Sequence, residues 1–452
     1  MTWAAIEGAA FRQSLDERPV QPPLDIEAVR KALGDLEDGP TPARETLQQL
    51  VDAVTPALTG TAGPRYFGFV TGSALDAPTG AEILVTGWDQ LAYNHLSSPA
   101  AAIVEEVTGE WLKELLGIPA DASFGFVAGS QGGNTIGLAA ARHHVLAAAG
   151  WDVERDGLFG APRVRVVASE ERHATVDRSL RILGFGMVPL EQVAATANGA
   201  IDVGSLERVL AAGPQGPTIV FLQSGNVNTG ACDDLAAACD IAHRFDAWIH
   251  VDGAFGLWAA ASPSTHHLCE GIERADSWAT DGHKWLNVPY ESGYVFCAHP
   301  DAHAAAMAYS ASYLVGPAAP AIRAPGDFVT ESSRRARGFA TWAALRELGR
   351  DGVAELVDRC CRLARSFADQ LREIDGVEIG NDVVLNQVLA RYADDERTDA
   401  VITAVQRDGT CWMGGTTWRG RRYMRISVSS WRTTPADVDR SVAAIERIVA
   451  GI

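Results

Sequence analysis

The sequence is short of basic residues. Lys and Arg together number 38 against 57 Asp and Glu, for a formal charge of −19. A chain this acidic, with a pI near 5.0, is repelled by phosphate backbones and anionic bilayers, so neither nucleic acid nor a membrane surface is expected as a partner. It also has no C-x-x-C pair. Its seven cysteines (Cys232, Cys239, Cys269, Cys297, Cys360, Cys361 and Cys411) are odd in number, and the only close pair is adjacent in a helical stretch, a poor geometry for bridging. No disulfide framework and no metal site are expected, and reduced thiols suit a cytoplasmic protein. The N-terminus, MTWAAIEGAAFRQSLDE, has no basic segment followed by an apolar run, so no secretory signal is expected. No apolar run reaches the roughly 18 residues of a membrane span. The most apolar helical stretch, IGLAAARHHVLAAAG, is broken by Arg142, His143 and His144.

What is present is ordinary globular material. The chain has 452 residues, 47% of them hydrophobic and 21% charged, which suits one large domain with smaller companions. Up to about residue 60, short helical segments are separated by Pro19, Pro22, Pro23, Pro40 and Pro42. Beyond that, β-branched runs alternate with alanine-rich helices. VRVVA (164–168), TIVFL (218–222), AWIHVD (247–252) and SGYVFCA (292–298) read as strands, and 233–246 reads as a helix opened by an aspartate. Strand, helix, strand in sequence predicts an α/β domain of mainly parallel strands covered by helices. A Gly/Pro-rich stretch (310–327), a long helix (337–370) and an α+β C-terminal part follow, with strands in VVLNQVLARY and RYMRISVS and a final helix at 436–450.

Four segments carry chemistry. Lys284 follows a strand-like SWAT and a polar turn in DGHKW, and lysine is rarely buried unless paired or used. A nucleophilic lysine needs its ammonium destabilised, and His283 and Trp285 flank it. Asp252 ends the strand of HVDGA, at the mouth of the sheet where ligands bind in this architecture. Ser130 and Gln131 lie in GSQGGNT, which opens a helix and offers an anion site. That segment lacks both the G-K-[ST] and the G-x-G-x-x-G pattern, which disfavours a nucleotide. His173 follows the strand VRVVA. Each segment alone has an ordinary reading: a surface lysine, a helix cap or Mg²⁺ ligand, a plain helix start, a loop histidine. Together, a phosphate cradle, a flat ring, a carboxylate and a lysine are the parts that hold pyridoxal phosphate. The lysine forms the Schiff base, and the aspartate keeps the ring nitrogen protonated.

With these residues in view, the chain resembles the pyridoxal-phosphate-dependent group II amino-acid decarboxylases (aromatic L-amino-acid and glutamate decarboxylase-like) over about 60–450. The resemblance rests on SSPA (97–100), AGSQGG (128–133), His173, GNVNTG (225–230), HVDGAFG (250–256), DGHKW (281–285) and RRARGF (334–339). It implies a fold type I, aspartate aminotransferase-like architecture and a homodimer with shared active sites. It divides the chain into an N-terminal helical arm (1–60), a pyridoxal-phosphate-binding large domain (61–310), a catalytic loop with the start of the connecting helix (311–345) and a C-terminal small domain (346–452).

Carried over residue by residue, the resemblance makes Lys284 the cofactor lysine and Asp252 the partner of the ring nitrogen. His173 stacks on the ring and helps place the departing carboxylate, and Ala254 packs the opposite face. Ser130, Gln131 and His283 hold the phosphate, and Asn226 lies near the ring substituents. Tyr313 resembles the loop tyrosine that closes over the neighbouring subunit's site, and it is the candidate proton donor. Arg425 resembles an arginine aimed at the substrate carboxylate. Phe67 and Tyr93 fall in the segment that lines the side-chain pocket, which favours an aromatic or large apolar amino acid. Asp281 departs from the family, where asparagine is common. A carboxylate repels phosphate, so no phosphate contact is expected of it. The activity implied is decarboxylation of an L-amino acid to amine and CO2. The alternatives on the same scaffold are decarboxylation with oxidative deamination to an aldehyde, disfavoured by the presence of both Tyr313 and His173, and carbon–carbon cleavage by a lyase or aldolase.

Overall fold

The structure is a computed structural model and describes residues 1–188, 190–309 and 323–452. The described chain divides into two compact units. One comprises Ala74–Arg362 with Asn381–Gln387; the other comprises Met1–Ser73, Leu363–Gly380 and Val388–Ile452.

The larger unit is built on a seven-stranded sheet: β1 (Ser123–Val127), β2 (Arg165–Ser169), β3 (Leu190–Val193), β4 (Thr218–Gln223), β5 (Trp248–Asp252), β6 (Ser277–Asp281) and β7 (Gly293–Cys297). Their order across the sheet is β1-β7-β6-β5-β4-β2-β3. The pairs β2–β3, β2–β4, β4–β5 and β5–β6 are parallel. β7 runs antiparallel to both neighbours, β1 and β6. The sheet is therefore mixed and mainly parallel, as expected from the alternation of strands and helices. β2, β4, β5, β6 and β7 are buried along their whole length, and β2, β4 and β7 accordingly read as near-continuous apolar runs.

The helix Ser130–Ala148 crosses this sheet at very short range, and two glycines make that approach possible. A Cβ on Gly133 would lie 2.9 Å from Ala279 Cβ, and one on Gly137 would collide with the ring of His250. Asp234, not Asp233, caps the helix Leu235–His243, accepting from the Ala237 N–H at 3.0 Å. Asp233 is buried and accepts from the N–H groups of Ile201 (2.6 Å) and Gln223 (2.7 Å), fastening the end of β4. The long helix expected after residue 337 spans Gly338–Arg372 and is interrupted at Gly349, whose φ is 60°.

The smaller unit carries β8 (Val377–Ile379), β9 (Gln387–Tyr392), β10 (Gly414–Trp418) and β11 (Arg421–Ser427), in the order β10-β11-β9-β8. Its last helix, Pro435–Gly451, starts with a full capping box between Thr434 and Asp437. Among the described residues no helix is long and apolar enough to cross a membrane.

Candidate active site

The C-terminal ends of the parallel strands gather the residues singled out by the sequence. Asp252 closes β5, and Asp281 closes β6 with His283 and Lys284 in the turn beyond. His173 follows β2 as the N-cap of the helix Ala174–Ile182. Asn226 lies in the loop after β4, and Ser130 opens the helix after β1. This is the edge at which doubly wound sheets bind ligands.

Asp252 sits at the end of an ordered hydrogen-bond chain. Its Oδ2 accepts from Asn134 Nδ2 at 3.1 Å, and its Oδ1 accepts from the Ala254 N–H at 3.1 Å. With the Asn134 amide nitrogen turned to the carboxylate, its Oδ1 faces His250 Nε2 at 3.0 Å, so that nitrogen carries the hydrogen. His250 Nδ1 is then the acceptor for Ser277 Oγ at 2.8 Å, and Ser277 accepts in turn from Trp248 Nε1 at 2.9 Å. Every link runs toward the carboxylate. Burial drives the His250 imidazole down to about 3, which keeps it neutral in this chain.

Burial likewise holds the Asp252 carboxyl above its ordinary range, against the opposing pull of His173, Lys284 and its two N–H donors. A protonated ring nitrogen would supply the close cation that this carboxylate is short of. The pyridinium of pyridoxal phosphate therefore fits here. At the start of the neighbouring helix, a Cβ on Gly129 would press on His283 Cε1 at 3.1 Å, so glycine lets this turn pack against the histidine.

Lys284 is one of only three lysines in the chain, with Lys31 and Lys113. Lys113 is committed to the carbonyls of Ala120 (2.6 Å) and Ala122 (3.0 Å) and to Glu110 (2.9 Å). Lys31 is exposed on the helix Ile26–Leu33. Lys284 alone lies at the strand-end edge, with its Nζ 2.9 Å from Asp281 Oδ2. Burial would lower its ammonium, but the charge of Asp281, its hydrogen bond, Asp252 and Tyr290 more than offset that and hold it above the ordinary lysine value. The sequence suggested that His283 would depress this lysine; the buried Asp281 carboxylate acts more strongly and in the opposite direction.

The other expected cofactor contacts are placed as follows. Ser130 gives its N–H (2.5 Å) and its Oγ (2.8 Å) to Asp281, so a carboxylate occupies the anion-binding position at this helix start. The side chain of Gln131 turns to Ser179 Oγ at 2.8 Å and the Thr175 carbonyl at 3.3 Å. His283 Nδ1 accepts from the Ser292 N–H at 3.1 Å, and burial lowers its imidazole. His173 Nδ1 lies 2.8 Å from Thr175 Oγ1 and accepts from the Thr175 N–H at 3.3 Å, which fixes its ring at the cap. Asn226 is buried and shapes its own loop, donating to the Glu171 carbonyl at 3.1 Å and accepting from the N–H groups of Asn228 (2.9 Å) and Thr229 (3.3 Å).

Of the residues expected on the substrate side, Tyr93 is half-buried in the larger unit, its ring 6.3 Å from that of Tyr309. Phe67 and Arg425 belong to the smaller unit. Phe67 is buried edge-on against Phe367 at 4.9 Å. Arg425 donates to the Phe69 carbonyl at 3.1 Å, and burial lowers its guanidinium to about 10. Tyr313 lies outside the described residues. Sequence reasoning missed Asn134, Ser277 and Trp248. Asn134 carried a local signal, an amide in the first turn of a glycine-rich helix start, but nothing local tied it to Asp252.

Comparison with known proteins gives the family and the fold. Residues 31–393 match the family described as "Pyridoxal-dependent decarboxylase conserved domain". The chain is 26% identical over 419 residues to tryptophan decarboxylase 1 of Oryza sativa subsp. japonica, covering 85% of this chain and 80% of that protein. It is 26% identical over 440 residues to the aromatic-L-amino-acid decarboxylase of Bacillus atrophaeus, covering 94% and 89%. In fold it matches the crystal structure of Oryza sativa TDC with PLP and tryptamine at a TM-score of 0.92 and 23% identity, over 100% of this chain and 96% of that one. The architecture is the fold type I arrangement, with a mixed, mainly parallel seven-stranded sheet.

Proposed function

The chain belongs to the pyridoxal-dependent decarboxylase family, and from that premise we propose that it removes the α-carboxylate of an L-amino acid with an aromatic or large apolar side chain, releasing the amine and CO2. The observation that carries the reading is the pairing of two strand ends. β5 delivers a buried carboxylate short of a cation, and β6 delivers the one lysine at this edge. When bound, pyridoxal phosphate supplies a conjugated ring that accepts the electron pair left behind as the carboxylate departs.

The chain's own residues do the rest. Lys284 would hold the cofactor through its amine. Asp252, oriented by Asn134 and the Ala254 N–H, holds a proton at the ring nitrogen. His173, fixed at its cap by Thr175, offers a flat face beside the departing carboxylate. Tyr313 is the proposed proton donor at the α carbon, and Arg425 and Tyr93 are proposed to contact the substrate. The aromatic preference is supported by the aromatic amino-acid decarboxylases among the relatives.

A homodimer with shared sites is supported by the apolar residues left exposed on the helices Asp76–Trp88 and Pro99–Leu116: Ile83, Leu84, Trp88, Ile103 and Val107. A cytoplasmic location is supported by the seven cysteines, none of them in a disulfide and six of them buried. The test is direct. Purified protein given pyridoxal phosphate should absorb at about 420 nm, and borohydride should fix the cofactor on Lys284. Tryptophan, tyrosine and DOPA should then yield CO2 and amine without peroxide; fixation elsewhere, or no CO2 from any amino acid, would sink the proposal.

A further inference from the structure

Asp281 is the acid left without a role by the family comparison. Its backbone is clamped on both sides of β6: its N–H donates to the Ala254 carbonyl at 3.0 Å, and its carbonyl accepts from Trp258 Nε1 at 2.9 Å. Its side chain is 2% exposed and receives both the N–H and the hydroxyl of Ser130, so the carboxylate is pinned before Lys284 reaches it. Lys284 stands three residues on, with Nζ 2.9 Å from Oδ2. A long, flexible side chain thus meets a rigid anion, and the anion fixes where the nitrogen rests.

We propose that Asp281 is the positioning residue for Lys284, the counter-ion that ties the reactive nitrogen to the first turn of the helix Ser130–Ala148 and stays opposite its positive charge both before and after cofactor attachment. The inference rests on the reading of Lys284 as the cofactor lysine. Charge balances across the step. The ammonium brings three hydrogens and one positive charge. When its nitrogen forms a C=N bond with the cofactor aldehyde, two hydrogens leave with the carbonyl oxygen as water. One hydrogen and the positive charge remain on nitrogen, so the same counter-ion serves both forms with no external acid or base.

The groups facing this pair are Asp252, His283 and Tyr290 around Lys284, and His283, Ser130 and Tyr294 around Asp281. Burial would raise the Asp281 carboxyl, but Lys284, His283 and the bond from Ser130 hold it below its ordinary value, so it carries its charge at neutral pH.

The scarcity of lysine makes the test clean. The full chain, freed of cofactor, is pulsed with acetic anhydride across pH, and acetylation of Lys284 is read by peptide mass spectrometry against exposed Lys31. In D281N the amide oxygen can still accept the Ser130 N–H, but the charge is gone. Lys284 should then acetylate on the order of tenfold faster at pH 8, one pH unit of titration being a factor of ten. Lys31 should not change. S130A keeps the Asp281 charge and the backbone N–H donor at residue 130, so its Lys284 curve should stay closer to the wild type than to D281N. In the loaded protein, loss of the band at about 420 nm should move to lower pH in D281N only. A Lys284 curve identical in D281N and wild type would overturn the proposal, as would an S130A curve matching D281N. Borohydride fixation on Lys31 or Lys113 would instead remove the cofactor-lysine reading, and the acetylation curves would still report on the ion pair.

Discussion

Two adjacent strand ends, those of β5 and β6, each close on an aspartate at almost the same depth, 3% and 2% exposed, and treat it in opposite ways. Asp252 receives two neutral N–H donors and is pushed toward its protonated form. Asp281 receives a lysine ammonium and a hydroxyl and is held ionised. Depth sets how badly a carboxylate needs a partner, and the partner decides its charge. One end is therefore prepared for an incoming cation and the other already has one. That asymmetry gives the edge a direction: the β5 end would hold the ring nitrogen and the β6 end the attaching amine.

Lys284→Ala removes both the covalent attachment point and the cation of Asp281, and turnover should fall to background while circular dichroism shows a folded protein. Retained CO2 release would sink the assignment. Next in size is Asp252→Asn, which leaves the shape of the β5 end but removes its charge. Turnover should drop by about 100-fold to 1,000-fold, the range for losing a preorganised electrostatic group. A similar drop in the cofactor-free acetylation of Lys284 is not expected, which separates the two strand ends.

Smaller again is Asn134→Leu, which cuts the chain from His250 to Asp252 and should weaken cofactor affinity or turnover roughly tenfold to a hundredfold, as outer partners of active groups do. Equal cofactor affinity and turnover in wild type and variant would mean that the chain does not steer Asp252.

The smallest expected effect is on stability with pH. His250 and His303 are both lowered to about 3 in the fold from 6.5, so the unfolded chain binds more protons and stability falls as pH drops through 6.5. Asp233, raised to about 6, acts the other way and partly offsets this. From pH 7 to pH 6 these three groups together cost about 1 kcal/mol, measurable by urea denaturation at the two pH values. A chain that became more stable at pH 6 would contradict it.

Much of this edge was legible before any coordinates. The β-branched runs gave β2, β4, β5 and β7, and DGHKW and HVDGA marked the two strand ends. β1 and β3 were harder. SFGFV has no β-branched residue apart from its final valine, and LEQV is short and only partly buried. The chain feeding Asp252 was not legible, because Asn134 and Asp252 are 118 residues apart and meet only when a helix lies directly on the sheet. For Asp281 the repulsion of phosphate was readable from its charge, but the attraction of Lys284 was not. Charge alone suggested a misfit; the geometry supplies its partner. Asp233 and Asp234 teach the same lesson one residue apart, since either could cap a helix and only the fold assigns the buried one to β4.

The two glycines beneath that helix carry a practical warning. Exchanging a helical glycine for alanine is a routine way to stiffen a protein, and at an open position it gains about 1 kcal/mol. At Gly137 the added methyl would strike the His250 ring, and at Gly133 it would crowd the wall of β6. An engineer hardening this chain would detune the β5 carboxylate from the far side of the helix, leaving every residue that touches the ligand unaltered.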